Sequence, residues 1–196
     1  MHGKPDLKRL FLLAEPQGGY FTASQAQTAG YSRQRLSYHV RAGQFTRIAQ
    51  GIYRLALYPS SPLEDLHVAL LRTGPASVVS HESALAFYGL SDILPKEIHL
   101  TVPRTSSRRR ARIRLHTRTL RAGDIARREG LRLTTVARTI ADVASAGLAE
   151  EHVIQAVAEA LQRGLVQAEG LEQQAQGRGG RAAALIRQAL HKQVSN

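Results

Sequence analysis

The amino-acid sequence predicts an α+β protein made of two domains, and three observations support this class. Apolar residues make up 43% of the 196 residues, which is usual for a folded globular chain. Near the N-terminus, segments of helical periodicity precede a short alternating stretch with a glycine at its centre. Further along, strand-like and helix-like segments alternate, as they do in mixed α/β domains.

The first two predicted helices are short. Apolar residues at helical spacing predict one helix over "DLKRLFLLA" (residues 6–14), which "PQGG" stops. A second helix, "ASQAQTAG", is capped by Thr22 or Ser24 and ends at Gly30.

The third helix leads directly into a hairpin. Ser32 caps a helix over residues 33–42, which Gly43 closes. "QFTRIAQGIYRLAL" then predicts two strands around a tight turn at Gly51. Helix, helix, turn, helix and hairpin is the order of a winged helix-turn-helix, which we place at residues 1–57.

One face of the third helix has the composition of a DNA-contacting surface. Residues of a helix follow at about 100°, so Leu36 and Val40 point inward together. Arg and Gln can bond two atoms of a purine edge, whereas Ser, Tyr and a helix N-terminus suit phosphate oxygens. The opposite face collects Gln34, Tyr38 and Arg41, flanked by Arg35 and Ser37.

The distribution of charge favours a polyanionic partner. The net charge is +12, and no acidic residue occurs from Phe21 to Leu63, a span that holds five arginines. Residues 1–56 carry eight Lys/Arg against two Asp/Glu, residues 57–149 fourteen against eight, and residues 150–196 five against five. Nucleic acid is the first candidate partner, and an anionic membrane surface is the second. An ordinary solvated helix face in a generally arginine-rich protein is the alternative interpretation.

Composition also bears on the compartment. The chain has no cysteine, which excludes disulfides and thiolate metal sites and fits a reducing cytoplasm. No stretch approaches the roughly 18 apolar residues of a membrane span, so we expect no membrane insertion.

After the linker "YPSSP", residues 62–196 predict a mixed α/β domain. Helices are predicted over "PLEDLHVALLRTG" and "ASVVSHESALAFYGLSD", the latter with Ser80 as its cap, and strands over "KEIHLTVP", "RIRLH" and "LRLTT". "VARTIADVASAG", "AEEHVIQAVAEALQRGLV" and a last segment are helical, and "GRGG" is expected to form a flexible loop. Within the first of these, Asp142 is expected to bond a neighbouring loop or to pair with Arg138.

A second basic segment lies between two of these strands. Eight arginines fall within residues 104–121, and no acid occurs between Ile98 and Gly123. A DNA backbone or an acidic partner protein would neutralise this charge, and a mobile surface loop is the alternative. We include Arg108, Arg109, Arg110 and Arg112 among the expected DNA contacts.

Catalytic chemistry is not indicated. Ser80, His81 and Glu82 are adjacent in sequence, but a catalytic triad requires convergence in space, and a helix start explains Ser80 and Glu82 better. His81, His99 and His116 lack the spacing of metal ligands. We therefore predict no catalytic residue, no metal site, no cofactor and no enzymatic activity.

The series "FTASQAQTAGYSRQRLSYHVRAGQFTRIAQGIYRL", "SVVSHESALAFYGLSD", "EIHLTVP" and "LRLTTVARTIADVA" resembles the AbiEi family of antitoxins and transcriptional regulators. The resemblance extends in order over residues 7–165, and its most specific parts are "GIYR" in the wing and "SHESAL…GL". It implies a winged helix that binds inverted repeats in its own promoter and a C-terminal domain with antitoxin function. It further implies that no stable complex forms with the toxin.

By position, the resemblance implies which residues meet double-stranded DNA. Together with Ser32 at the helix start, the recognition helix contributes Arg33, Gln34, Arg35, Ser37, Tyr38 and Arg41. The wing contributes Arg47, Gln50, Gly51 and Arg54. Many relatives continue into an endonuclease domain like those of very-short-patch repair, which would begin where this sequence stops. A stand-alone DNA-binding protein without a toxin, or a basic protein-interaction module, are the alternative functions.

Overall fold

The computed structural model describes residues 4–106 and 111–194, which form two compact units. The first unit extends to Ala76 and includes Arg127–Leu131; the second comprises Ser77–Ala126 and the chain from Arg132 onward. The predicted α+β class is confirmed. The domain division at residues 57–62 stays a prediction, because the helix that follows it groups with the N-terminal elements by its contacts.

The N-terminal unit has the element order of a winged helix-turn-helix. In chain order its elements are α1 (Leu7–Ala14), β1 (Tyr20–Thr22), α2 (Ala23–Thr28), α3 (Arg33–Arg41), β2 (Phe45–Ala49), β3 (Ile52–Leu55) and α4 (Glu64–Thr73). The strands form an antiparallel sheet in the order β1-β3-β2. Helices α1, α2 and α3 precede the β2–β3 hairpin, as predicted, whereas the strand β1 between α1 and α2 was not predicted.

Local hydrogen bonds fix where α2 and α3 begin. The Thr22 hydroxyl accepts from the Gln25 amide at 3.1 Å, and the Gln25 side chain accepts from the Thr22 amide at 2.8 Å. This reciprocal capping box satisfies two amides that the helix leaves unpaired. The Ser32 hydroxyl accepts from the Arg35 amide at 3.3 Å, so both predicted caps are confirmed.

An aromatic core holds α3 against the sheet. Phe21 is fully buried, with ring centroids 5.2 Å from Phe45 and 5.7 Å from Tyr53. Leu36 of α3 is buried in the same cluster, together with Tyr31 from the turn before it. The inward face predicted for α3 is thus confirmed at Leu36, and it sets which residues of that helix point outward.

The C-terminal unit is built on a mixed sheet. Its elements are β4 (Val78–Val79), α5 (His81–Phe87), β5 (Ile98–Val102), β6 (Ile113–Thr117), β7 (Ile125–Arg128), β8 (Leu131–Thr134), α6 (Val136–Ala146), α7 (Glu150–Gln162), α8 (Ala168–Arg178) and α9 (Gly180–Val194). The strand order is β6-β5-β4-β8-β7, with β4 antiparallel to β5 and parallel to β8, and β5 parallel to β6.

Two local expectations for this unit are wrong. Ser80 occupies the position before α5, but its hydroxyl bonds Thr101 Oγ1 at 2.8 Å and His81 Nδ1 at 2.9 Å instead of capping the helix. The "GRGG" stretch is not a loop, because α8 runs to Arg178 and α9 begins at Gly180. The positive φ of Gly179, +64°, turns the chain within one residue.

Helix α6 is the centre of the C-terminal core and carries a buried ion-pair network. Asp142 is 1% exposed, and its Oδ2 accepts from Arg138 Nε at 3.0 Å. The predicted pairing of these two residues is confirmed. Arg138 also bonds Asp124 Oδ2 at 2.7 Å, while Arg178 of α8 donates to the other oxygen of Asp142. Gln174 of α8 donates to Asp124 Oδ1 at 3.2 Å, which closes the network.

Four histidines are held largely out of water. Burial is the main cause that lowers the pKa of each, to about 4 for His67, His99 and His116 and about 2 for His81. For His81, positive charge on neighbouring histidines and arginines lowers the pKa further. These imidazoles are therefore neutral in the folded protein near pH 7.

We expect the substitution Phe21→Ala to destabilise the protein by about 3–5 kcal/mol, because it empties the centre of the aromatic cluster. Leu57→Ala is the matched control, since Leu57 is 87% exposed and its truncation should change stability by less than about 0.5 kcal/mol. Urea unfolding followed by far-UV circular dichroism measures both, since the chain has no tryptophan. Equal losses in the two variants would contradict the assigned core.

Stability should fall as the pH drops from about 6.5 towards 4. In this window the histidines are protonated in the unfolded chain but stay neutral where they are buried in the folded protein. Unfolding therefore takes up protons and becomes more favourable in acid. Each histidine contributes at most about 1.4 kcal/mol per pH unit. The measurement is the urea midpoint at pH 7, 6 and 5. His67→Gln should reduce the slope, and a midpoint that is constant over this range would show that the histidines are accessible to protons.

Candidate nucleic-acid interface

The outward face of α3 gathers the residues predicted to meet DNA. Arg33, Gln34, Arg35, Ser37, Tyr38 and Arg41 are all exposed, and Ser32 at the helix start is partly exposed. Tyr38 is 62% exposed, a large value for an aromatic side chain. The Ser37 hydroxyl donates to the Arg33 carbonyl at 3.1 Å, which leaves its lone pairs outward. The helix therefore presents basic, amide and hydroxyl groups and no carboxylate.

The base of this face is held by aromatic contacts. The His39 ring lies 5.3 Å from Tyr31 and 5.1 Å from Phe45, and its Nδ1 bonds the Gln44 side chain. Burial raises the pKa of the Tyr31 phenol, so the phenol stays neutral. The Tyr38 ring meets His39 edge-on at 5.4 Å. His39 thus packs between the core and the exposed face.

A concave surface lies at the helix-turn-helix. A cavity of about 570 Å³ is bordered by Ser24 and Gln27 of α2 and by Ser32, Arg33 and Gln34 at the start of α3. The amides of a helix N-terminus attract anions. The start of α3 therefore presents its amides and the Arg33 side chain at a concave surface.

The hairpin β2–β3 forms the wing. Arg47 and Gln50 are exposed, and the register between the two strands shifts at Arg47/Ala49. Gly51 has a φ of +73°, which the tight turn requires, and nothing lies within 4 Å of where a Cβ would stand. The tip of the wing is thus open to close approach by another molecule.

Arg54 has a different environment from Arg47. Its side chain is only 13% exposed, its Nη1 lies 3.3 Å from Glu64 Oε2, and its guanidinium lies 5.9 Å from the Tyr20 ring centroid. The Tyr20 hydroxyl donates to the same carboxylate oxygen at 3.1 Å, and burial raises the pKa of this phenol. Glu64 neutralises the charge of Arg54 within the N-terminal unit. The structure therefore does not place Arg54 with the exposed basic face.

The second basic segment is only partly described. Arg108, Arg109 and Arg110, which were predicted to contact DNA, lie outside the described residues. Arg112 is exposed in the turn before β6, with a φ of +59°, and its carbonyl accepts from the Ile98 amide at 2.9 Å. A contact of Arg112 with DNA stays a prediction.

The structure brings together three histidines that sequence spacing did not connect. His81 and His116 stack with their ring centroids 3.5 Å apart, and His116 Nε2 lies 3.3 Å from His99 Nδ1. His99 Nε2 in turn contacts Glu82 Oε2 at 3.0 Å. The register of the parallel β5–β6 pair, which sets Thr101 opposite His116, produces this convergence, and no local sequence signal predicts it.

Over residues 4–106 and 111–194, no group of three His, Asp or Glu side chains is arranged to hold a metal ion. The same part of the chain contains no helix that is both long and apolar enough to cross a membrane.

Comparison with known families agrees with both units. A family model described as "Transcriptional regulator, AbiEi antitoxin" matches residues 8–56, and a model described as "AbiEi antitoxin C-terminal domain" matches residues 74–192. All of α4 lies between the two matched regions. No curated protein sequence matches this chain at a significant level. The two family matches together cover most of the 196 residues, and the chain therefore belongs to the AbiEi family of antitoxins and transcriptional regulators.

Proposed function

We propose that this protein is a sequence-specific DNA-binding regulator that represses its own promoter. The observation that carries the proposal is the exposed face of α3, which holds three arginines and a glutamine and lacks any carboxylate. A surface that only needs to be soluble has no reason to exclude acidic residues. A surface that approaches phosphates within hydrogen-bonding distance must do so.

The proposed division of labour follows from the chemistry of the side chains. Arg35 and Arg41 are our candidates for base contacts, because an exposed guanidinium can donate twice to a guanine edge in the major groove. Ser37 and Tyr38 are candidates for phosphate contacts that fix the orientation of the helix. The cavity at the start of α3 is a further place for a backbone phosphate.

In the wing, we propose Arg47 and not Arg54 as the phosphate contact. Arg47 is exposed near the open turn at Gly51, whereas Arg54 is paired with Glu64. Freeing Arg54 for DNA would leave the Glu64 carboxylate without its cation. The two arginines thus form a natural comparison, because they lie on the two strands of one hairpin and differ in their partners.

Membership of the AbiEi family supports an antitoxin role for the C-terminal unit. We propose that this role is exercised without a stable complex with the toxin and in the bacterial cytoplasm, where the promoter DNA is. Co-expression with any toxin gene encoded beside it, and purification through a tag on either protein, tests the first point. A complex that survives purification would contradict it.

The central experiment is binding of the full chain to a labelled duplex from its own upstream region and to a scrambled duplex, across a salt series. We expect tighter binding to the upstream duplex and a steep decrease of affinity with salt. Equal, weak binding to both duplexes would mean that the positive charge serves another partner.

We expect Arg41→Ala to weaken binding to the upstream duplex by about 1–3 kcal/mol and to reduce discrimination against the scrambled duplex. A base contact carries sequence information, so its loss affects the specific site most. Arg187→Ala is the control: it removes the same charge from α9, where Arg187 pairs with Glu172 at 2.8 Å, and should leave DNA binding unchanged. Fluorescence anisotropy measures both affinities. An equal loss on the two duplexes would make Arg41 a phosphate contact instead.

The salt dependence should separate the two wing arginines. Arg47→Ala should reduce the slope of log K against log salt by about one unit and weaken both duplexes equally, because one phosphate contact is lost. Arg54→Ala should leave the slope unchanged and lower the stability of the N-terminal unit, since Glu64 loses its partner. The opposite pattern, with the slope changed only by Arg54→Ala, would refute this assignment.

A further inference from the structure

A polar cavity in the C-terminal unit has no role in the proposed DNA binding. It has a volume of about 440 Å³ and is bordered by His81, His116, Arg118, Asp142, Ser145 and Arg178. These residues come from α5, from β6 and the residue after it, from α6 and from α8. Cavities of roughly 300–1,000 Å³ are the size of small-molecule sites.

The lining offers hydrogen-bond donors and no free carboxylate. Both oxygens of Asp142 are used, one by Arg138 and the other by Arg178. Arg178 has further N–H groups that make no hydrogen bond with the described residues, and Arg118 is exposed and makes none within that same part of the chain. Ser145 is already engaged, since its hydroxyl donates to the Ala141 carbonyl at 2.8 Å.

The two stacked imidazoles add polar nitrogens of their own: a donor on neutral His81 and, on neutral His116, an acceptor that becomes a donor when the ring is protonated. Thr101 donates to the Ser80 hydroxyl, whose proton is then available to His81 Nδ1, so neutral His81 carries its proton on Nε2. His116 uses Nε2 towards His99, while its Nδ1 makes no hydrogen bond with the described residues. Each ring therefore keeps one nitrogen for a ligand.

The local charge is positive. The two acids of the network, Asp124 and Asp142, are balanced by Arg138 and Arg178. Arg118 at the cavity then has no anionic partner among residues 4–106 and 111–194. His81 also has a φ of +51°, a left-handed conformation that is strained for a residue with a side chain and that concentrates at functional sites.

We propose that this cavity binds the phosphate group of a small phosphate-bearing ligand. A tetrahedral oxyanion presents acceptors in several directions, so it can meet donors from α5, from Arg118 after β6 and from α8 at once. A planar carboxylate cannot face these walls equally well. The chemistry is shared by free phosphate and by a nucleotide, and the cavity is larger than a lone phosphate needs.

Binding should be coupled to proton uptake. A bound oxyanion stabilises an imidazolium, so it raises the pKa of His116 from its low value in the free protein. Affinity should therefore increase as the pH falls from 8 to 6, with sulfate as a probe because its charge is constant over this range. The charged and titratable groups that face His116 are His81, His99, Arg114, Arg118, Asp142 and Arg178.

The test is calorimetric titration of the full chain, without DNA, with inorganic phosphate and with adenosine monophosphate at constant ionic strength. In parallel, the histidine ring resonances are followed by NMR. We expect saturable binding that moves the His116 signals and leaves those of His67, in the N-terminal unit, in place. Tighter binding of the nucleotide would identify a nucleotide as the ligand, whereas equal binding would mean that the phosphate group alone is recognised.

Variants locate the site. Arg118→Gln removes an exposed cation at the cavity and should weaken binding about tenfold or more. Ser145→Asp adds a carboxylate to the lining and should abolish it. Arg187→Gln removes an equal charge from α9 and should have no effect. The proposal is overturned if saturable binding is absent, if both arginine variants lose affinity alike, or if the His116 signals do not move.

Discussion

The C-terminal unit depends on a carboxylate that water scarcely reaches. Asp142 on α6 is 1% exposed, and an unpaired charge in such a place costs several kcal/mol. Arg138 and Arg178 compensate it from its own helix and from α8, and Arg138 also binds Asp124 before β7. Because removing one partner would leave a buried charge, helices α6 and α8 and the turn at Asp124 are restricted to one relative arrangement. That arrangement places Arg178 and Asp142 beside the histidines of the cavity.

The N-terminal unit differs in this respect, since the DNA binding proposed for it requires charges that are not neutralised. Packing of Phe21, Phe45, Tyr31 and Leu36 holds α3 without any ion pair on its outer face. The arginines of α3 are therefore available to a polyanion and repel one another in its absence. Arg54 differs from the arginines of α3, because the Glu64 carboxylate already neutralises its charge.

Membership of the AbiEi family gives both units a context. One matched model describes a transcriptional regulator and antitoxin, the other an antitoxin C-terminal domain, and they correspond to the winged helix-turn-helix and to the mixed sheet with its helices. The proposed phosphate site belongs to the second region. It does not rest on DNA binding, so separate measurements test the phosphate site and the DNA-binding function.

The sequence by itself determined the features that depend on neighbours along the chain. Thr22 and Ser32 could be recognised as caps, Leu36 as the inward side of α3, and Gly51 as the turn of the wing, because capping, helical periodicity and left-handed turns are local. The exclusion of acids from residues 21–63 likewise indicated a polyanion without any coordinates. Tertiary structure decided what depends on distant residues. Only folding showed that Glu64 engages Arg54, that Ser80 bonds Thr101 rather than capping α5, and that His81, His99 and His116 converge. These contacts join residues 10 to 35 positions apart through strand register and helix packing, which composition and spacing do not encode.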